Sequence, residues 1–199
     1  MERLGIFGGT FDPPHLGHLI LADEAFLQLR LDRLMWVLTP DPPHKQNQEI
    51  SPAAQRLELV RAAIGDNPQF ELSRVELDRP GPHYAVDTVR LLQAQHPQAE
   101  LFYLIGEDSL HDLVTWSRPR EMVEQVAGLG VMRRPGVEVE MGRIEKALPG
   151  VSEKVIFIDT PLIEIASHEI RNRIARGKPY RYYVHPAVYE LINERQYYK

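Results

Sequence analysis

The 199-residue chain contains no cysteine. That excludes a disulfide-stapled scaffold, thiol nucleophiles and any Cys-ligated zinc or iron–sulfur centre. It also lacks an apolar run near the roughly 18 residues of a membrane span, so no membrane partner is expected. Positive charge is not in excess: 23 Lys and Arg against 28 Asp and Glu leave a net charge of −5. A generic polyanion-binding surface is therefore disfavoured, and nucleic acid is not expected as a partner. The opening Met1-Glu2-Arg3-Leu4-Gly5-Ile6-Phe7 reads as a strand from the outset, with no room for a signal peptide, so the expected compartment is the cytoplasm. One region departs from the average. Residues 168–199 hold seven Lys and Arg, three Asp and Glu, and six of the eight tyrosines. A solvated C-terminal subdomain with its tyrosines packed on the body is the favoured reading, with nucleic-acid contact as the alternative.

What is present is a regular alternation. Short apolar runs at 4–7, 34–38, 101–105, 129–132 and 155–158 read as strands covered on both faces. Between them lie amphipathic helices. Leu19, Ala22, Phe26 and Leu29 form one stripe. Ser51 is expected to cap a second helix, with Pro52 at its first position and Leu57, Val60 and Ile64 inward. Residues 84–95 and 139–148 make a third and a fourth. This order predicts an α/β fold with a doubly wound parallel sheet. The chain reads as one domain over 1–199, with a small helical C-terminal subdomain from about 165 to 199. Trp36, inside a strand pattern, is expected in the core. Asp-Pro-Pro-His occurs at 12–15 and again at 41–44. Each copy follows a strand, so both histidines should face the crevice at the carboxyl ends of the strands, where open parallel sheets bind ligands.

The segment Gly8-Gly9-Thr10-Phe11-Asp12-Pro13-Pro14-His15-Leu16-Gly17-His18 carries the chemistry. Gly8 and Gly9 are expected to make a turn and permit close backbone approach. Thr10 offers a hydroxyl and an N–H, and Pro13 and Pro14 stiffen the loop. A helix starting near His15 presents unpaired N–H groups and its positive dipole end to an anion. His15 and His18 share one face of its first turn, and Gly17 leaves room beside them for a flat ring. This is neither a G-x-G-x-x-G dinucleotide pattern nor a G-x-x-x-x-G-K-[ST] loop. Two imidazoles on a helix N-terminus suit a polyphosphate and the charge that grows on departing pyrophosphate. A zinc site is disfavoured for want of a third ligand.

These residues resemble the signature of the H-x-G-H nucleotidyltransferases and, closely, the bacterial nicotinate-nucleotide adenylyltransferases. The resemblance continues through Pro42-Pro43-His44-Lys45, Gly106-Glu107-Asp108 with Leu113 and Trp116, Arg133-Arg134-Pro135-Gly136, and Ile165-Ala166-Ser167-His168-Glu169-Ile170-Arg171. Ala166 and His168 stand where the family carries hydroxyl residues. The resemblance implies a Rossmann-like nucleotidyltransferase fold, and transfer of AMP from ATP, with its Mg2+, to nicotinate mononucleotide. It assigns His15 and His18 to the ATP phosphates, Asp108 to the ATP ribose and Trp116 to stacking on the nicotinate ring. Gly8, Gly9, Thr10, Gly17, Gly106, Ser167 and Arg171 complete the expected ATP site. Asp108 would serve equally as an N-cap for residues 109–114, and Trp116 as core.

The acceptor side rests on Lys45, Tyr84, Thr88, Trp116 and Arg134. Lys45, at the end of a proline-rich loop, is a point charge suited to phosphate. Tyr84 and Thr88 open the third helix, whose N-terminus suits a carboxylate. Arg134 suits an anion at its strand end. His83, His96, His111 and His185 read as surface or capping residues. Within the same chemistry, nicotinamide mononucleotide and phosphopantetheine remain alternative acceptors, and a non-catalytic nucleotide sensor is the reading from another class. A homo-oligomer remains open.

Overall fold

The computed structural model describes residues 1–42, 49–65, 67–133, 139–161 and 163–199. Six strands form one sheet: β1 (Arg3–Gly9), β2 (Arg33–Leu38), β3 (Phe70–Ser73), β4 (Glu100–Gly106), β5 (Gly128–Met132) and β6 (Val155–Ile158), in the order β3-β2-β1-β4-β5-β6. Every pairing is parallel. The strand order reverses between β1 and β4. That reversal opens a crevice at the carboxyl ends of these two strands, the usual ligand position in a doubly wound sheet.

Alternation along the strands divides the core. Leu4, Ile6, Val37, Leu101 and Tyr103 point to one face, which is covered by α3 (Ala85–Gln95) and α5 (Pro119–Gln125) through Val86, Val89, Leu92 and Met122. Phe7, Trp36, Leu38, Phe102 and Leu104 point to the other, covered by α1 (Leu16–Gln28) and α2 (Ala53–Ile64) through Ala22, Ala25, Val60 and Ile64. Trp36 lies in the core, as its strand pattern implied. Between β4 and α5 run a short α4 (Glu107–Asp112) and a 3-10 turn over Leu113–Thr115. Short helices α6 (Met141–Ala147) and α7 (Val151–Lys154) lead into β6.

The remaining helices, α8 (Ser167–Ala175) and α9 (Pro186–Arg195), do not cover the sheet. Ile170, Ile174, Val188 and Ile192 pack instead on Leu59 and Ala63, on the outer side of α2. Burial of such side chains contributes about 1.5–3 kcal/mol each, so α2 is held between the sheet and the C-terminal helices. This third cluster carries residues 167–198 back to the start of the chain.

Two differences from the sequence expectation have simple causes. β3 went unrecognised, because Phe-Glu-Leu-Ser is a four-residue edge strand with a charge in it. β6 was expected to be covered on both faces. It is the opposite edge, and Ile156 stays exposed. An unbroken apolar run is thus no proof of two covering layers. No helix among the described residues is long and apolar enough to cross a membrane.

Candidate active site

The first loop differs from expectation in how it turns. Gly8 and Gly9 belong to β1, and neither has a positive φ. They are needed for space. A Cβ on Gly8 would lie 3.1 Å from the Tyr103 hydroxyl, and one on Gly9 would lie 2.7 Å from the Phe11 ring. The turn is made by Phe11, at φ +49, and by the cis Asp12–Pro13 peptide. Phe11 is buried, its ring edge-on to Phe7 at 5.5 Å and tilted against Trp36 at 5.1 Å. It also meets the His18 ring edge-on at 5.1 Å.

His15 is the N-cap of α1. Its imidazole stacks on that of His18, with centroids 3.7 Å apart and planes inclined by 29°. The His15 backbone N–H donates to His18 Nδ1 at 3.2 Å. With Nδ1 accepting, the proton of the neutral His18 ring sits on Nε2, on the far side of the ring. Gly17 does not leave bare space beside the two histidines for a further ring, as the sequence suggested; the imidazole of His15 itself lies against it. A Cβ there would stand 3.0 Å from its Nδ1.

The loop is clamped along its length. Arg56, only 1% exposed, donates to the carbonyls of Ser51, Thr10, Thr39 and Pro40 at 2.7–2.9 Å, joining the segments after β1 and β2. Burial lowers its pKa, opposed by the nearby Asp12 charge, and a guanidinium so bonded stays a cation. Asp12, 4% exposed, accepts from Tyr198 Oη at 2.9 Å and from the Ser51 N–H at 3.1 Å. Arg171 donates to the Asp12 carbonyl at 2.7 Å, and Ser167 Oγ donates to the Pro13 carbonyl at 2.8 Å. The expected Ser51 cap is therefore corrected: α2 starts one residue later behind Pro52, and the Ser51 backbone faces Asp12 and Arg56.

A crevice of about 650 Å3 opens over this loop. It brings together Thr10, His15, Gly17, His18, Ser167 and Arg171 from the expected ATP set, and adds Arg133, Ala166 and His168. Gly8 and Gly9 lie in β1 beneath it. Gly106 ends β4 and is the N-cap of α4, so Asp108 is its exposed second residue and not its cap. Lys45 and Arg134, with His44, lie outside the described residues.

Of the expected acceptor residues, Tyr84 and Trp116 pack against the core cluster on the α3 side. Tyr84 is the N-cap of α3, as the expected start of that helix implied. Thr88 is fully buried, and its hydroxyl donates to Glu76 Oε1 at 2.5 Å. Its one hydroxyl hydrogen is engaged by Glu76. Burial raises the pKa of Glu76 despite that bond, and burial followed by Glu76 raises that of Tyr103 well above the usual phenol range. Trp116 is half-buried and meets the Tyr103 ring edge-on at 6.2 Å, so its indole plane is set from below. His83, read as a surface residue, is 6% exposed, and burial lowers its pKa. His185 does cap a helix, accepting from the Ala187 N–H.

Sequence reasoning missed Asp12, Arg56, Glu76 and Tyr198. Asp12 lay inside the signature segment but was given no role of its own, and Glu76 carried no local signal. Arg56 looked like an ordinary helical arginine, and Tyr198 was read only as packing. Among the described residues no cluster of three His, Asp or Glu is placed to hold a metal ion.

Comparison with known proteins agrees with this geometry. The profile of the cytidylyltransferase-like family matches residues 6–173. The chain is 47% identical to a probable nicotinate-nucleotide adenylyltransferase of Thermomicrobium roseum, over 96% of this chain and 89% of that protein. It is 38% identical to the nicotinate-nucleotide adenylyltransferase of Bacillus subtilis over the full length of both. In fold it resembles the Plasmodium falciparum nicotinic acid mononucleotide adenylyltransferase complexed with NaAD, with a TM-score of 0.80, 17% identity, and 100% and 98% of the two chains covered. The Plasmodium enzyme complexed with APC gives a TM-score of 0.76 at 18% identity and the same coverage. The chain belongs to the cytidylyltransferase-like family and, within it, to the nicotinate-nucleotide adenylyltransferases.

Proposed function

We propose that this nucleotidyltransferase moves the adenylyl group of ATP onto the phosphate of nicotinate mononucleotide, releasing pyrophosphate and forming deamido-NAD in NAD biosynthesis. The observation that carries the reading is the stacked His15–His18 pair at the N-terminus of α1, in a crevice also lined by Arg171 and Ser167. An oxygen of the mononucleotide phosphate attacks the α-phosphorus of ATP. That P–O bond forms as the bond to the bridging oxygen breaks, and the electron pair departs with pyrophosphate. The second pKa of such a phosphate is about 6, so it is mostly dianionic at neutral pH and needs no protein base. Catalysis is then positioning and charge neutralisation.

His18 Nε2–H and His15 meet the phosphates, aided by the positive end of α1. Arg171 keeps about a third of its side chain exposed after donating to the Asp12 carbonyl, enough to meet a phosphate as well. Mg2+ would arrive with ATP and would supply charge neutralisation on the phosphates, beside His15, His18 and Arg171. Gly106 and Asp108, at the carboxyl end of β4, are assigned to the ribose of ATP. Trp116 is assigned to stacking on the nicotinate ring. With the Thr88 hydroxyl turned toward Glu76, the nicotinate carboxylate is assigned to the N-terminus of α3 beside Tyr84. Lys45 and Arg134 are assigned to anions of the substrates on sequence grounds alone. A cytoplasmic enzyme acting without nucleic acid or membrane is part of the same proposal.

Pyrophosphate release measured with nicotinate mononucleotide, nicotinamide mononucleotide and phosphopantetheine tests it. The acid should exceed both others in kcat/KM by at least about tenfold, because an anion at a helix N-terminus is favoured over its amide. Equal or greater efficiency with either rival would overturn the acceptor.

A further inference from the structure

We propose that Tyr198 is a positioning residue for adenylyl transfer: through the carboxylate of Asp12, its phenol holds the loop that aims His15 and His18. The inference builds on the reaction proposed above. Tyr198 lies just beyond α9 and is separated from Asp12 by 186 residues, yet its Oη donates to Asp12 Oδ1 at 2.9 Å. Burial first, then the Asp12 charge, raise the pKa of that phenol far above the ordinary value, so it is a donor at every working pH.

Asp12 sits at the bend of the loop, between Phe11 at φ +49 and the N-cap His15. Both carboxylate oxygens are held, one by Tyr198, the other by the Ser51 N–H at 3.1 Å with Arg171 Nη1 at 3.7 Å. A carboxylate that is 4% exposed is costly to leave short of donors. Losing the phenolic donor would allow the side chain to rotate and draw Arg171 off the Asp12 carbonyl. The peptides that set the direction of His15 would then lose one of their clamps. Gln196, at φ +56, is the left-handed C-cap that ends α9, and Tyr198 itself takes φ +66, a region that favours glycine. The neighbouring Tyr197 donates to Glu58 on α2 at 2.9 Å and touches nothing in the loop through its hydroxyl. It is the natural control.

The test compares Tyr198→Phe, Tyr197→Phe, Asp12→Asn and the double variant D12N/Y198F. Tyr198→Phe keeps the ring and removes the charge-assisted hydrogen bond to Asp12 together with the bond to Gln55. It should lower kcat/KM for ATP about tenfold, leave KM for the mononucleotide within about twofold, and leave far-UV circular dichroism unchanged. Tyr197→Phe should match wild type. The double variant should lose no more than Asp12→Asn alone, since the phenol acts through that carboxylate. In the free enzyme, 15N spectra of His18 should lose part of the Nε2–H signature in Tyr198→Phe and keep it in Tyr197→Phe. Wild-type kinetics for ATP in Tyr198→Phe, equal losses in both tyrosine variants, or additive losses in the double variant would overturn the proposal. The ratios can be read with whichever acceptor wild type uses, and the histidine spectra need no substrate. A wrong acceptor and a wrong role for Tyr198 are therefore told apart.

Discussion

Replacing Gly17 by alanine should cost turnover, while the clash with buried His15 caps any gain in helix stability. Gly17 is the second residue of α1, where alanine favours the helix by up to about 1 kcal/mol over glycine, and by less near an end. For a chain of this size, that is a rise in Tm of at most about 2–4 °C. The added methyl, however, would stand 3.0 Å from His15 Nδ1 and 3.1 Å from its Cε1. Ordinary contact is about 3.5–4.0 Å, so the imidazole must give way by roughly 0.5 Å. It is buried and stacked on His18 at 3.7 Å, so the pair moves together or separates. A misplacement of about 1 Å costs on the order of 100-fold in rate, which puts half that displacement near tenfold. Steady-state pyrophosphate release at varied ATP and saturating mononucleotide, alongside a thermal melt, reads both effects. A Gly17→Ala protein with kcat and KM for ATP within twofold of wild type would refute the claim that this glycine serves the His15 ring.

Three other perturbations probe separate parts of the same structure. His18→Ala removes the Nε2–H donor and should cut turnover by at least about 100-fold; near-normal kinetics would remove the histidine from the mechanism. Arg56→Met leaves the carbonyls of Ser51, Thr10, Thr39 and Pro40 without their buried donor. It should cost about 3–5 kcal/mol, seen as a Tm drop of about 10 °C, and a drop below 3 °C would contradict the clamp. Glu76 has a folded pKa raised by burial above its ordinary value of 4.5, so its contribution to stability is complete below about pH 4.5 and is lost as pH rises through the folded value. Glu76→Gln should therefore gain on wild type in urea melts as pH is raised from 4 to 8, and parallel curves would refute the assignment.

What the sequence disclosed is what is encoded locally. The parallel strands announced themselves because the central ones are buried on both faces. The N-terminus of α1 was legible because a helix starting at His15 must place His18 on the same face one turn later. Features that depend on a distant partner were not legible. The hydroxyl of Thr88 reads as a ligand group until Glu76, twelve residues earlier, takes its hydrogen. Gly8 and Gly9 read as a turn because their packing against Tyr103 and Phe11 cannot be seen in the sequence. Arg56 sits in a helix whose exposed face would hold an arginine anyway, and only the fold brings four carbonyls to it.

The seating of α8 and α9 on α2 has a consequence for the order in which this enzyme becomes active. His15 and His18 lie far upstream of the side chains that brace their loop, which come from positions 167, 171 and 198. Loop closure over such separations comes late in folding. A nascent chain with its sheet already formed would still hold an unbraced loop. In the finished protein, any opening that lifts these two helices from Leu59 and Ala63 releases the loop while the sheet stays intact. On the proposed roles of His15 and His18, activity should then be lost on warming before the sheet unfolds.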